Sequence, residues 1–282
     1  SSSSKYNTKK ISLAVFIAVF AGQFLFSSHL LLSAECFATP LTAKIIDGTR
    51  VPISNFHNVT PIIQSGEAFC TGTLVSRDTV ITAAHCFFDD NNRRAIGDTD
   101  VDLSFSGQLF RSSKVFIHPS YSSRSEACVE GEFDAALIKF SNSDLLPVQI
   151  NPANLSRETP VKDLELTLVG FGLEGTGRSG QQNSTPPDGL VNFGMTSIER
   201  VSSTYLQWDF DSGESNTASG DSGGPSFSSI GGLQTLVGIT CGGTGNAEFG
   251  TESFNTRIDK IASWIDSIAG SSPTASAPKS VG

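Results

Sequence analysis

Apolar residues are gathered in short runs along this chain, and turn-forming residues separate one run from the next. The clearest runs cover 79–82, 101–105, 164–169 and 233–239, and they are rich in Val, Ile, Leu and Thr. Short runs of this kind, bounded by Gly, Pro, Asn or Ser, are typical of β-strands joined by turns. The pattern predicts an all-β fold.

One segment near the end of the chain has a helical period instead. Its apolar residues recur at spacings of three and four, which places them on one face of a helix: Ile258, Ile261, Trp264, Ile265 and Ile268. We therefore predict a short C-terminal helix over about 257–268. Residues 269–282, rich in Ser, Ala and Pro, are predicted to form a disordered tail.

The N-terminal segment has the composition of a targeting sequence. A lysine-containing start precedes the apolar stretch 11–34, and small residues follow it. We predict a signal peptide over 1–38, cut after Ala38 or alternatively after Ala34, and a short propeptide over 39–44. These features predict a secreted protein. The apolar stretch is also long enough to cross a bilayer, so a retained membrane anchor is the alternative.

Length and charge limit the classes of partner. The chain has 282 residues and a formal net charge of −9, and its length suits two modest domains or one fold with a two-barrel core. Negative charge argues against nucleic acid and anionic membrane surfaces as partners. No group of Cys and His has zinc spacing, so we predict neither a metal nor a cofactor. Calcium in the acidic loop 89–102 is the alternative to a solvated loop.

Three separate segments contain the side chains that nucleophilic hydrolysis needs. His85 follows Thr-Ala-Ala, Asp134 opens an apolar run, and Ser222 lies within Gly-Asp-Ser-Gly-Gly-Pro. A serine hydroxyl is a poor nucleophile at neutral pH, and it needs a base to take its proton and a third group to orient that base. These three residues therefore form a candidate catalytic triad.

In their order and flanking residues, these segments resemble the chymotrypsin/trypsin-like serine protease family. Further segments match the family in order, namely 45–48, 70–76, 115–121, 134–138 and 170–172. The resemblance covers 45–268. It implies two six-stranded antiparallel β-barrels, the first over about 45–150 and the second over about 160–256, followed by the C-terminal helix. It also implies a monomeric enzyme that acts on protein or peptide substrates.

The resemblance assigns roles to the candidate residues. His85 is the expected general base, Asp134 orients it, and Ser222 is the nucleophile. The backbone amides of Gly220 and Ser222 are the expected oxyanion hole, because glycines around the nucleophile allow a tight turn that exposes N–H groups. A non-catalytic family member that acts as a binding or regulatory module is one alternative, and an esterase is another.

The resemblance also implies that the protein is made as a zymogen. A cut after Lys44 by an activating protease would free the amino group of Ile45. In this family the new ammonium group turns inward and pairs with the Asp that precedes the nucleophile, which is Asp221 here.

The family places its primary substrate pocket beside the nucleophile. Asn216, six residues before Ser222, matches the base of this pocket, and we add Thr217, Gly243 and Ser253 to the pocket by the same resemblance. A trypsin-like pocket that selects Arg or Lys has Asp at its base, because the negative charge attracts the cation. Asn216 is neutral and polar, so we predict a preference for uncharged or polar residues on the amino side of the cleaved bond.

Five cysteines cannot all pair within one chain. Cys36 lies in the predicted leader and leaves with it. Cys70 and Cys86 match the disulfide that the family has behind its catalytic His. Cys128 and Cys241 either form a second bridge or remain as two free buried thiols, and the resemblance places both near the active site.

Overall fold

The computed structural model describes residues 45–122, 128–182 and 189–270. The predicted signal peptide, the propeptide with Lys44, and residues 271–282 lie outside the described residues. Within the described ranges, no helix has both the length and the apolar character that a membrane span requires.

Six strands of the first half close into an antiparallel barrel. The opening strand β1 (Thr49–Pro52) lies outside this barrel. The barrel strands are β2 (Val59–Gln64), β3 (Glu67–Ser76), β4 (Thr79–Thr82), β5 (Asp102–Phe105), β6 (Gln108–Ile117) and β7 (Ala136–Phe140), paired in the order β2-β3-β4-β7-β6-β5 and closed on itself. Phe105, Phe110 and Phe140 pack together inside it, with ring centroids 5.4–6.0 Å apart.

The second half is a nine-stranded sheet with a separate two-stranded ribbon. Its nine strands are β1 and a further eight: β8 (Asn154–Leu155), β9 (Glu165–Gly170), β12 (Leu190–Ser197), β13 (Arg200–Val201), β14 (Tyr205–Asp209), β15 (Pro225–Ile230), β16 (Leu233–Gly243) and β17 (Glu252–Arg257). The ribbon pairs β10 (Glu174–Thr176) with β11 (Gly180–Gln182). The sheet order is β1-β12-β9-β15-β16-β17-β14-β13, and β8 pairs in parallel with β16.

Strand β1 belongs to the second sheet although it lies within the range predicted for the first barrel. Its residues pair with β12, so that Thr49 lies opposite Phe193. The residues just before β1 are fixed to the second half, because Ile46 exchanges backbone hydrogen bonds with Asn216 at 2.7 and 3.1 Å. The tertiary position of Ile46 therefore decides which sheet β1 joins.

The C-terminal helix α1 (Ile258–Ala269) is shifted by one residue at each end from the predicted 257–268. Its buried residues Ile258, Ile261 and Ile265 pack in one cluster with Leu236 and Ile239 of β16. Among the described residues, the remaining helical elements are single 3₁₀ turns at Ile53–Phe56, His85–Phe87 and Ser143–Leu145. The structure confirms the all-β fold class with one short C-terminal helix. In the described residues the first predicted six-stranded barrel is closed, whereas the strands of the second half form the nine-stranded sheet.

An apolar cluster joins the two halves. Ile81 and Leu137 of the barrel pack in the same buried cluster as Val169, Phe227 and Leu236 of the second sheet. This shared core keeps the two halves in contact, and the loop around Ser222 in the second half reaches β3 of the barrel, where the Thr71 N–H donates to the Ser222 carbonyl.

Candidate active site

His85 and Asp134 lie at the same end of the barrel because of strand pairing. Strands β4 and β7 are antiparallel neighbours, with Thr82 opposite Ala136. His85 follows the end of β4 by three residues and Asp134 precedes β7 by two, so the barrel itself places the two side chains next to each other.

Two hydrogen bonds join these residues. His85 Nδ1 lies 2.6 Å from Asp134 Oδ2, and the backbone N–H of His85 donates to Asp134 Oδ1 at 2.9 Å. The Asp134 side chain is 2% exposed and that of His85 is 29% exposed. Burial lowers the pKa of His85, but the negative charge of Asp134 and its hydrogen bond outweigh this effect, and the pKa is raised overall.

The loop that contains Ser222 lies against the barrel, beside the His85 turn. The backbone N–H of Thr71 donates to the Ser222 carbonyl and the Thr71 hydroxyl donates to the Gly220 carbonyl, both at 2.9 Å. Cys86 Sγ is 4.0 Å from the same Ser222 carbonyl oxygen. Gly220 has a φ of +93°, a conformation that residues with a Cβ rarely adopt. The loop thus holds the Ser222 carbonyl next to Cys86, the residue that follows His85.

Asp221 is fully buried between two loops of the second half. Its Oδ1 accepts from the Gly172 N–H and its Oδ2 accepts from the Ala218 N–H, each at 2.8 Å. A Cβ at Gly170 would lie 2.0 Å from Asp221 Oδ1. The two glycines of the family segment 170–172 therefore make room for the Asp221 carboxylate.

The segment that starts at Ile45 is inserted into the second half. Ile45 and Ile46 are both fully buried, and Ile45 packs with Leu166, Leu168 and Trp208. The backbone bonds between Ile46 and Asn216 connect this segment to the residue predicted at the base of the substrate pocket.

One cavity of about 150 Å³ is lined by Ser222 and by all four predicted pocket residues, which are Asn216, Thr217, Gly243 and Ser253. Sequence reasoning missed Gln181, which lines the same cavity and whose Oε1 accepts from the Ser219 N–H at 2.9 Å. No motif marks Gln181, because it enters the site from the separate ribbon strand β11.

The loop preceding Asp134 is clamped to the second half. The Tyr205 hydroxyl lies 2.9 Å from the Val129 carbonyl oxygen and 2.7 Å from that of Glu132. Burial, followed by the nearby charge of Asp134, raises the pKa of Tyr205, so this hydroxyl stays protonated and can donate. Nothing in the sequence marks Tyr205 as part of the site, because a tyrosine on a strand is an ordinary core residue.

Two disulfides flank the site. Cys70 is bonded to Cys86, the residue after His85, and Cys128 is bonded to Cys241 at the end of β16. The second bridge attaches the clamped loop to the strand that borders the cavity. It also means that Cys128 and Cys241 are not the two free thiols of the alternative interpretation.

We expect the Cys128–Cys241 bridge to contribute more to stability than the Cys70–Cys86 bridge. The bridges join residues 113 and 16 positions apart, and a longer closed loop removes more entropy from the unfolded chain. Replacing both Cys128 and Cys241 with Ala should lower the free energy of unfolding by about 5 kcal/mol. Replacing both Cys70 and Cys86 with Ala should lower it by about 3 kcal/mol. Denaturant titration of the two double variants measures this difference, and equal losses would contradict it.

The residues around the site offer little to a metal ion. Within 45–122, 128–182 and 189–270, Cys70, His85 and Cys86 form a group with metal-ligand spacing, but both sulfurs are engaged in the disulfide. In the acidic loop, Asp98 pairs with Arg94 at 2.6 Å and with Lys114 at 2.5 Å. Its negative charge is therefore already compensated by side chains of the chain itself.

Comparisons with known proteins agree with this arrangement. A family model described as Trypsin matches residues 45–265. Trypsin-3 of Salmo salar is 28% identical over 252 residues, which cover 83% of this chain and 98% of that protein. Serine protease 1 of Canis lupus familiaris is 27% identical over 214 residues, covering 72% and 81%. Trypsin 5G1 of Aedes aegypti is 24% identical over 244 residues, covering 81% and 86%.

The family match spans well over half of the 282 residues and includes every candidate site residue except Lys44. It also coincides with the closed barrel and the second sheet. On this evidence, the chain belongs to the chymotrypsin/trypsin-like serine protease family.

Proposed function

We propose that this protein is a serine endopeptidase that cleaves peptide bonds through an acyl-enzyme intermediate. The observation that carries the proposal is the 2.6 Å contact between His85 Nδ1 and Asp134 Oδ2. The backbone of the Ser222 loop lies beside the His85 turn, since the Ser222 carbonyl accepts from the Thr71 N–H and lies 4.0 Å from Cys86 Sγ. When the neutral ring carries its proton on Nδ1 and donates a hydrogen bond from there to Asp134, the lone pair is on Nε2. That nitrogen is then the base available to the serine hydroxyl.

In the proposed first step, Ser222 Oγ attacks the carbonyl carbon of the substrate while His85 Nε2 takes the hydroxyl proton. Asp134 stabilises the resulting imidazolium. The carbonyl oxygen becomes an oxyanion that accepts from the backbone N–H groups of Gly220 and Ser222. When the C–N bond breaks, His85 returns the proton to the leaving amine and Ser222 carries the acyl group.

In the second step, a water molecule attacks the acyl ester with His85 again acting as the base. The ester bond breaks, the new carboxylic acid leaves, and the Ser222 hydroxyl regains its proton. Each cycle consumes one water molecule and needs no metal or redox partner, so the three triad residues and the two backbone amides suffice for this chemistry.

We further propose secretion as a zymogen that is activated after Lys44. The buried Ile45 and the backbone bonds between Ile46 and Asn216 support this, since they hold the segment beside the pocket. In the proposal the freed ammonium group of Ile45 pairs with Asp221, whose neighbour is Ser222. The two disulfides support an exported protein, because such bonds persist in oxidising compartments.

A serine-directed fluorophosphonate tests the proposed chemistry directly. Intact mass of the protein beginning at Ile45 should increase by one adduct, since only an activated serine reacts readily. The Ser222→Ala protein is the control and should gain no mass. Absence of an adduct on folded protein would overturn the enzyme proposal and favour the non-catalytic binding module.

The proposed activation step predicts a dependence on the free N-terminus. Adding one residue before Ile45 should lower kcat roughly 10²- to 10³-fold, the effect of losing an oxyanion-hole donor, because Asp221 would lose its ammonium partner. Ile45→Val with a free N-terminus is the matched control and should keep most activity. Steady-state rates of the three proteins decide the question, and full activity of the extended chain would contradict the activation step.

A further inference from the structure

The amide of Asn216 has only one possible orientation. Its Oδ1 accepts from the backbone N–H of Thr217 at 2.9 Å. A backbone N–H can only donate, so the atom facing it must be the amide oxygen and not the nitrogen. The Ser253 hydroxyl donates to the same oxygen, and both of its lone pairs are then occupied.

This orientation leaves the nitrogen end of the amide for the cavity. Asn216 lines the cavity, and Nδ2 donates to no acceptor in the part of the chain that the structure describes. Beside it, Ser253 also lines the cavity, and its hydroxyl proton is committed to Asn216. The base of the pocket therefore presents N–H donors from Asn216 next to acceptor lone pairs on Ser253.

Charge is missing from the walls as well as from the base. The other described residues that line the cavity have neutral side chains or none: Gln181, Thr217, Ala218, Ser219, Ser222, Thr240, Gly242, Gly243, Thr244, Gly245 and Ala247. A charged substrate group would lose its hydration here without meeting an opposite charge, and that loss is costly.

We propose that the pocket selects substrates with a primary carboxamide, Gln or Asn, on the amino side of the cleaved bond; this inference rests on the proposed peptidase function. A carboxamide oxygen accepts from Asn216 Nδ2, while its NH₂ group donates to Ser253 Oγ. The acceptor of the substrate carboxamide thus meets the N–H donor of Asn216, and its donor meets the acceptor lone pair of Ser253.

Other side chains match this pair less well. A Glu carboxylate offers acceptors only, and it would face the lone pairs of Ser253 without a cation nearby. Lys and Arg offer donors only, and they would face the N–H groups of Asn216. An apolar side chain would leave both polar groups unpaired, and sites built for a polar group discriminate strongly against partners that lack it.

A fluorogenic peptide series that varies only this substrate residue tests the proposal. We expect kcat/KM for Gln or Asn to exceed that for Glu, Leu, Lys and Arg by at least about 10²-fold. A series led by Lys, Arg or an apolar residue would overturn the carboxamide assignment.

The variant Asn216→Asp changes the group at the base of the pocket from a hydrogen-bond donor to an acceptor. Its carboxylate still accepts from Thr217 and Ser253, but it replaces the N–H donors with a negatively charged acceptor. We expect kcat/KM for the Gln and Asn peptides to fall at least about tenfold and that for Lys and Arg peptides to rise. The exposed Asn151→Asp is the matched control for the added charge and should keep the wild-type ranking.

Binding to Ser222→Ala separates this proposal from the proposed catalysis. Calorimetry should give a lower Kd for a Gln peptide than for the otherwise identical Glu peptide, whether or not the wild-type protein cleaves either. Equal Kd values, or no binding of the Gln peptide, would overturn the carboxamide assignment. Failure of fluorophosphonate labelling alone would instead overturn the catalytic function and leave the binding preference standing.

Discussion

Replacing Ser222 with Ala is expected to lower kcat about 10⁶-fold, the loss that removal of a triad nucleophile causes in other serine proteases. The change deletes one oxygen from a partly buried residue. The backbone bond from Thr71 to the carbonyl of residue 222 and the φ of Gly220 do not depend on that oxygen. The fold should therefore survive while the covalent step disappears.

Turnover of a fluorogenic peptide measures this effect, and the unfolding curve of the variant checks that it is folded. Ser229→Ala is the matched control, because Ser229 is an exposed residue of β15 in the same half of the molecule. A Ser222→Ala protein that retained a substantial part of the wild-type rate would contradict the assigned nucleophile.

Replacing Asp134 with Asn should lower kcat about 10⁴-fold at neutral pH. The Asn amide can donate to Nδ1, which favours the ring tautomer with its proton on Nε2. In that tautomer His85 cannot accept the proton of Ser222. The neutral amide also cannot stabilise the imidazolium that forms during attack, so both the orientation and the charge of the base are lost.

The same substitution should move the acid limb of the pH profile. Only neutral His85 acts as a base, so kcat/KM rises with pH through the pKa of His85. Asp134 raises that pKa, so the wild-type midpoint should lie above the ordinary histidine value of 6.5. Removing the negative charge leaves burial, which lowers the pKa, and the midpoint should shift to lower pH.

Values of kcat/KM measured from about pH 5 to pH 9 give the midpoint of the acid limb for the wild-type protein and for Asp134→Asn. The exposed Asp144→Asn is the matched control and should change neither the rate nor the midpoint. An unchanged midpoint in Asp134→Asn would show that the charge of Asp134 does not act on His85.

Local sequence predicted the strands and the helix well, because each depends on contiguous side chains. The run 79–82 is strand β4, and the period of three and four near the end is helix α1. Strand β16 extends past its predicted end at 239 to Gly243, since pairing of Gly243 with Ser253 overrides the weak strand propensity of glycine. The length of β16 thus depends on its partner strand β17, which the local sequence pattern does not contain.

The family motifs likewise brought His85, Asp134 and Ser222 forward as candidates from sequence alone. Their flanking residues mark them in the chain, and the pairing of β4 with β7 explains the contact between the first two. What the motifs do not contain is the orientation of the Asn216 amide, because it depends on a folded loop that turns the Thr217 N–H toward Asn216 Oδ1. They also do not show that Ser253, 37 positions away, donates to the same oxygen.

The sequence by itself determined the fold class, the family and the candidate triad, since these depend on short patterns that neighbouring residues form together. Only the tertiary structure decided that β1 joins the second sheet, that Gln181 enters the cavity and that Cys128 bonds to Cys241. Cys241 is the extra residue at an irregularity in the pairing of β16 with β17, and such bulges redirect side chains. Contacts of this kind depend on register and loop position, which distant parts of the chain set jointly.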